Sequence, residues 1–145
     1  MFSHTPMRDL QEFHSTFVPE QSKDFLPMKL TRRINLIAEE ARETIDALEY
    51  MESTFFNETS STLNGAKEEV AKELADLLYV VYGTAEELDI PLEQVFQVVH
   101  QSNMSKAESD GTVKRNEFGK ILKPSTYAPP DLSFIHDNQF LSTST

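Results

Sequence analysis

Apolar residues recur every three or four positions along most of the first hundred residues, a spacing that places them on one face of a helix. This pattern predicts a short first helix over 9–17, with Leu10, Phe13 and Phe17 on its apolar face. It also predicts a long second helix from about Met28 to Ser53. The apolar stripe of the second helix consists of Leu30, Ile34, Ile37, Ala38, Ala41, Ile45 and Leu48.

Two further helices follow a polar connection. The segment Phe55–Gly65 is rich in Asn, Ser and Thr and is predicted to be a loop. A third helix is predicted from about Ala66 to Leu88, and a break at Asp89-Ile-Pro91 precedes a fourth helix from Leu92 to about Ser102. The apolar face of the third helix consists of Val70, Leu74, Leu77, Leu78, Val81 and Ala85.

The pattern becomes irregular after Lys106. Asp110-Gly111 and Phe118-Gly119 predict turns, and Tyr127–Pro130 is predicted to be extended or irregular. We therefore expect a loop with one hairpin there, and an all-α fold for the rest of the chain.

The length of 145 residues suits one domain, which we place at 1–132 with a polar tail at 133–145. Two long amphipathic helices are too few to enclose a large apolar face. We expect two chains to pair into a four-helix core, as a homodimer or a dimer of dimers.

The composition excludes several classes of function. The formal net charge of −11 disfavours binding to nucleic acids and to anionic membranes, and the absence of Cys excludes thiolate chemistry and disulfides. The sequence has no signal peptide and no apolar run long enough for a membrane span, so a cytosolic protein is expected. It also has no Gly-rich phosphate loop, so any phosphate ligand must be held by metal ions and side chains.

Carboxylates are the most informative candidates for chemistry. The second helix carries Glu39, Glu40 and Glu43, and the third carries Glu73 and Asp76. Residues three apart lie on neighbouring turns of one helix side, so antiparallel packing of the two helices would bring four carboxylates around one cavity. Mg²⁺ binds such oxygen ligands and keeps positions for water and phosphate. The alternative is a solvated acidic surface.

The motifs resemble those of the all-α NTP pyrophosphohydrolases, the group that contains MazG, dimeric dUTPases and phosphoribosyl-ATP pyrophosphohydrolase. The stretch Glu39-Glu40-Ala-Arg-Glu43 with Glu73-Leu-Ala-Asp76 is similar to the EExxE…ExxD pattern of that group. The stretch His100–Lys106 resembles the HxxNxSK segment, and Gly119–Pro124 and Tyr127–Leu132 resemble the GKxLKP and PPD tail of small phage and bacterial members.

The resemblance implies a role for each matching residue. Two or more Mg²⁺ ions, with Mn²⁺ as a substitute, would be held by Glu40, Glu43, Glu73 and Asp76. Glu39 would be a further ligand or would orient the attacking water, so the implied catalytic residues are Glu39 and Glu40. Phosphate would be bound by Asn103, Lys106, Lys120 and Lys123, with the irregular segment as a lid. Candidates for the base are Phe13, His14, Phe17 and Tyr79.

The implied activity is Mg²⁺-dependent hydrolysis of an NTP or dNTP to the monophosphate and pyrophosphate. Within this class we favour a purine dNTP such as dGTP, although neither the residues nor the resemblance implies the base. Phosphoribosyl-ATP and dUTP are the alternative substrates. A different class of function also fits the residues, namely a non-catalytic acidic helical protein that binds metal ions or a partner.

Overall fold

The computed structural model describes residues 5–18, 24–57 and 60–137 of the chain. Its elements are α1 (Pro6–Phe17), α2 (Leu26–Asn57), α3 (Ser60–Glu87), α4 (Leu92–Met104) and a 3₁₀ helix (Ser133–Asp137). The described residues form no strand and only an isolated antiparallel bridge between Arg115 and Ile121. The all-α prediction is therefore confirmed. No helix in the described part of the chain is long and apolar enough to cross a membrane.

The chain divides into two compact units at Leu88. The first unit contains α1, α2 and α3, and in it α3 contacts both α1 and α2. The second unit contains α4 and the irregular segment after it.

The predicted loop at Phe55–Gly65 is wrong over most of its length. Helix α2 continues to Asn57 and α3 begins at Ser60. Of the polar residues that suggested a loop, Ser61 and Asn64 are exposed on α3, whereas Ala66 and Val70, four residues apart, are buried. The helix persists because packing of this inner face outweighs the weak helix propensity of Asn, Ser and Gly.

Helices α2 and α3 form an antiparallel pair. Arg33, near the start of α2, contacts Glu87 at the end of α3, while Thr44, further along α2, contacts Glu73, earlier in α3. The buried face of α2 along this contact consists of Arg33, Thr44, Ala47 and Thr54. The seam between the helices is thus made of small and polar residues, and it is not the apolar stripe that the sequence pattern shows.

Several large apolar residues of both helices lie exposed on one side of this seam. Ile34 in α2 is 67% exposed and Leu74 in α3 is 50% exposed. At about 100° of rotation per residue, Ile34 lies on the same side of Glu40 around α2 as Leu74 lies of Glu73 around α3. Because the two helices are antiparallel, both apolar side chains lie at the same edge of the pair. The opposite edge carries Glu39, Glu43 and Asp76. The pair therefore has an apolar edge and an acidic edge.

The second unit follows the sequence prediction closely. Asp89 takes the left-handed conformation with φ of 52°, which Asp tolerates better than most residues, and α4 begins directly after Pro91. The predicted hairpin is short: around the Arg115–Ile121 bridge, the Asn116 backbone N–H donates to the Lys120 carbonyl at 2.9 Å and the Leu122 N–H donates to the Lys114 carbonyl at 2.8 Å. The 3₁₀ helix was not predicted. The last predicted polar residues, from 138 on, lie outside the described residues.

Candidate metal centre and its surroundings

Three carboxylates from α2 and α3 meet at the seam between the two helices. One oxygen each of Glu40, Glu73 and Asp76 lies within 4.8 Å of the other two. Glu73 is only 4% exposed, whereas Glu40 and Asp76 are half-buried. The sequence prediction that acidic positions of the two helices converge is met by these three residues.

Thr44 fixes the register of the two helices beside this cluster. Its hydroxyl lies 2.8 Å from the backbone carbonyl of Glu40 and 3.2 Å from that of Glu73, within hydrogen-bond distance of both. Thr44 is itself buried. One side chain thus connects the two backbone positions from which the cluster carboxylates project.

The cluster concentrates negative charge in a partly desolvated place. Burial, and then the neighbouring carboxylates of Glu43 and Asp76, raise the pKa of Glu40 above its usual range. One oxygen of Glu73, Oε2, is buried, and no donor among the described residues reaches it. A buried carboxylate oxygen without a hydrogen-bond partner destabilises the fold, so we expect a further positively charged group to bind at this position.

Lys72 supplies the only cation that contacts the cluster within residues 5–18, 24–57 and 60–137. Its Nζ donates to Glu73 Oε1 at 2.6 Å and to Asp76 Oδ2 at 3.0 Å. These hydrogen bonds, first that to Glu73, raise the pKa of Lys72. The lysine side chain is 58% exposed, so it approaches the cluster from the solvent side.

The residues fit a divalent cation. Hard cations such as Mg²⁺ and Mn²⁺ take carboxylate oxygens, and the cluster offers three carboxylates with a buried oxygen still unpaired. The residues that would hold the ion are Glu40, Glu73 and Asp76.

Glu39 and Glu43 lie beside this cluster and not within it. Both are exposed. Glu43 borders a groove with Asp46, Tyr50, Glu69 and Glu73. Glu39 borders a different groove, which it shares with Phe25, Met28, Arg32 and Asn35.

The aromatic candidates form a partly exposed group on α1 and α3. The rings of Phe13 and Tyr79 meet edge to face with centroids 5.5 Å apart, and the Phe13 and Phe17 centroids are 4.9 Å apart. Tyr79 is one turn beyond Asp76 on α3. His14 differs from the other candidates because its Nδ1 contacts Glu86 Oε2 at 2.5 Å.

A buried ion network at the end of α3 was missed by sequence reasoning. Glu87 accepts hydrogen bonds from Arg33 and from Arg32, the latter at 2.5 Å, and Arg32 also binds Asp24 at 2.8 Å. Burial acts to raise the pKa of Glu87, but the two arginines lower it below its usual range. A Cβ on Gly83 would lie 3.0 Å from the Arg33 guanidinium, so a larger residue there would press on the network.

The second unit brings two lysines together around Tyr127. Lys123 Nζ lies 4.4 Å from the centroid of the Tyr127 ring, and a hydrogen bond to Ser102, followed by the charges of Lys123 and Lys106, lowers the pKa of the phenol. Lys106 Nζ donates to Asn103 Oδ1 at 2.7 Å. The amide N–H₂ of Asn103 has no acceptor among the described residues and can donate to a ligand.

Lys120 lies apart from this arrangement in the contacts that the structure shows. It belongs to the turn at Asn116, where its backbone N–H donates to Asn116 Oδ1 at 2.9 Å, and it is exposed. Of the four predicted phosphate-binding residues, the structure therefore links Asn103 with Lys106 directly, and Lys106 with Lys123 through Tyr127.

An antiparallel helix pair with a buried carboxylate cluster defines an all-α protein with a candidate metal site. The sequence model of the phosphoribosyl-ATP pyrophosphohydrolase family matches residues 10–103, which include all three cluster carboxylates. The chain belongs to this family, and the predicted resemblance is confirmed. Family membership indicates a pyrophosphohydrolase. No curated protein matches the chain.

Proposed function

We propose that the protein hydrolyses a nucleoside triphosphate to the monophosphate and pyrophosphate in a Mg²⁺-dependent reaction. The observation that carries this proposal is the meeting of Glu40, Glu73 and Asp76 at the α2–α3 seam, with one buried Glu73 oxygen unpaired. Membership of a pyrophosphohydrolase family supplies the reaction class. Mn²⁺ is the expected substitute, and two or more ions are expected at each site.

The three cluster carboxylates would hold the metal, with Glu43 as a fourth ligand from the next turn of α2. When bound, Mg²⁺ neutralises phosphate charge and makes a bound water more acidic. Glu39, exposed one residue before Glu40, would orient the attacking water or accept its proton. The protein contributes fixed positions and charge, which is most of what a loose phosphoryl transition state requires.

We propose that Asn103, Lys106 and Lys123 of the second unit bind the phosphates. Asn103 offers its amide N–H₂, and the ammonium groups of Lys106 and Lys123 have no carboxylate partner within 4.0 Å in the described part of the chain. Uncompensated lysines in a chain of net charge −11 favour an anionic ligand. The irregular segment after α4 would act as the lid.

Replacement of Lys123 is expected to weaken substrate binding more than replacement of Lys120. Lys123→Ala removes an ammonium that is held beside Tyr127 and should raise KM about tenfold, the effect of one charge-assisted hydrogen bond. Lys120→Ala, its neighbour in the turn, is the matched control and should change KM little. Equal effects of the two substitutions on KM in steady-state assays would refute this assignment.

The aromatic group on α1 and α3 is our candidate for the base. Phe13 and Tyr79 meet edge to face close to Asp76, so a base stacked on them would lie beside the metal cluster. Phe17 and His14 would border the same place. A purine dNTP such as dGTP is the preferred substrate because a two-ring base covers more of this aromatic surface.

A nucleotide panel tests the proposal. The purified protein is incubated with Mg²⁺ and each common NTP and dNTP, and with phosphoribosyl-ATP, and the products are separated by ion-exchange chromatography. Monophosphate and pyrophosphate from a triphosphate, abolished by EDTA, are the expected result. Turnover of phosphoribosyl-ATP alone would identify the activity named by the family description. No turnover of any of these compounds by folded protein would favour the non-catalytic alternative.

We also propose that two chains pair through the apolar edge of α2 and α3. Ile34, Ile45 and Leu74 are 45–67% exposed there, and a homodimer or dimer of dimers would cover them. Ile34→Glu combined with Ile45→Glu should raise the dimer dissociation constant by at least about a hundredfold, since each buried side chain contributes about 1.5–3 kcal/mol. Sedimentation velocity measures this constant.

Met28→Glu is the control for the dimer experiment. Met28 is 51% exposed on the same helix but lies on the other side of the seam. Its substitution should leave the dimer intact. A wild-type protein that sediments as a monomer at high concentration would contradict the proposed pairing.

A further inference from the structure

Lys72 contacts two of the three carboxylates that would hold a metal ion. Its Nζ is within 3.0 Å of one oxygen of Glu73 and one of Asp76, two of the three carboxylates that converge. A divalent ion held by the same carboxylates would repel the ammonium. The hydrogen bonds of Lys72 and the binding of a metal ion would therefore compete.

We propose that Lys72 is a resident counterion of the metal site, which holds Glu73 and Asp76 together in the metal-free protein and is displaced when a divalent cation binds. This proposal rests on the proposed function, because it needs a cation at the cluster. The position of Lys72 suits an exchange. It directly precedes Glu73 and lies one turn before Asp76, and its side chain is 58% exposed, so the ammonium can leave towards solvent without opening the helix pair.

The exchange would have two consequences for the protein. Without metal, the ammonium neutralises part of a cluster whose carboxylates would otherwise repel one another across the α2–α3 seam. With metal, the released ammonium stays on the rim of the site. There it is available to the negative charge of a bound triphosphate.

The reactivity of the Lys72 amine tests the exchange directly in the wild-type chain. The protein is labelled briefly with acetic anhydride, with and without Mg²⁺, and the modification of each lysine is measured by mass spectrometry. Labelling of Lys72 should increase about tenfold on addition of Mg²⁺, as its hydrogen bonds to two carboxylates are lost. Lys67, exposed on the same helix, is the internal control and should not respond.

A variant provides the second measurement. Lys72→Met should bind Mg²⁺ about tenfold more tightly than wild type in calorimetry, because the competing charge is gone, whereas Lys67→Met should bind as wild type does. If Mg²⁺ binds wild type but neither the labelling of Lys72 nor the affinity of Lys72→Met changes, the exchange is refuted and the metal site stands. If Mg²⁺ does not bind wild type at all, the proposed function fails together with the exchange.

Discussion

Glu73→Gln is expected to abolish turnover while leaving the protein folded. The substitution keeps the shape of the side chain but removes the charge that a metal ligand needs, so kcat/KM should fall by about 10³-fold, as for loss of one major electrostatic contact with the transition state. Steady-state assays on the best nucleotide of the panel measure the loss. Glu68→Gln, exposed on the same helix, is the matched control and should keep full activity.

The free energy of unfolding of Glu73→Gln should not fall as its activity does. Glu73 is 4% exposed and its Oε2 has no donor, so in metal-free buffer the carboxylate destabilises the fold. Glu73→Gln should therefore unfold in urea with a free energy equal to that of wild type or higher by about 1 kcal/mol. A variant that loses activity because it is unfolded, or one that stays active, would contradict the assigned role of Glu73.

Glu87→Gln is expected to be the most destabilising change outside the metal cluster. Its side chain is 7% exposed and accepts hydrogen bonds from Arg32 and Arg33, so removal of the charge leaves the buried Arg33 guanidinium without its counterion. Loss of one partner of a buried pair costs about 3–5 kcal/mol. Urea unfolding at neutral pH should show this loss, with Glu68→Gln unchanged.

The pH dependence of stability provides an independent check on Glu87. The arginines hold the pKa of Glu87 lower in the folded chain than in the unfolded chain. Its contribution is therefore complete above the unfolded pKa of about 4.3 and is lost as the pH falls through the folded value. Wild type should lose more stability than Glu87→Gln when the pH is lowered from 7 towards 3. Parallel losses would show that Glu87 is not the group responsible.

The helices and the acidic cluster could be predicted from the sequence because both depend on local spacing. The positions of Glu40, Glu73 and Asp76 relative to the apolar stripes already indicate which sides of α2 and α3 they occupy. The helical structure over most of Phe55–Gly65 could not be predicted, because the polar composition of this segment favours a turn and only packing of Ala66 and Val70 against the neighbouring helix favours a helix.

The ion pairs were harder to predict because they depend on register between distant segments. Arg33 and Glu87 lie at similar distances along the chain from the connection between α2 and α3, so an antiparallel helix pair brings them together. The sequence predicts this ion pair only when the connection between the two helices is placed correctly, and the predicted loop was too long. The pairing of Lys72 with Glu73 and Asp76 could not be predicted either, since sequence alone does not show which neighbour a surface lysine pairs with.

The hydrophobic pattern also did not show that the buried contact between α2 and α3 consists of small and polar residues. Hydrophobic periodicity marks the apolar stripe containing Ile34 and Ile45, yet α2 meets α3 through Thr44 and Ala47. Small residues allow the helices to approach closely and place the carboxylates opposite each other. The exposed part of the apolar stripe, including Ile34 and Ile45, is the surface through which we propose that two chains pair.

A titration with Mn²⁺ tests most directly whether the cluster between α2 and α3 binds a divalent cation. Free Mn²⁺ is followed by electron paramagnetic resonance during titration of wild type, Glu73→Gln and the control Glu68→Gln. We expect saturable Mn²⁺ binding to wild type and Glu68→Gln, binding at least tenfold weaker in Glu73→Gln, and displacement of the bound Mn²⁺ by Mg²⁺. Equal Mn²⁺ binding by all three proteins, or none by wild type, would contradict it.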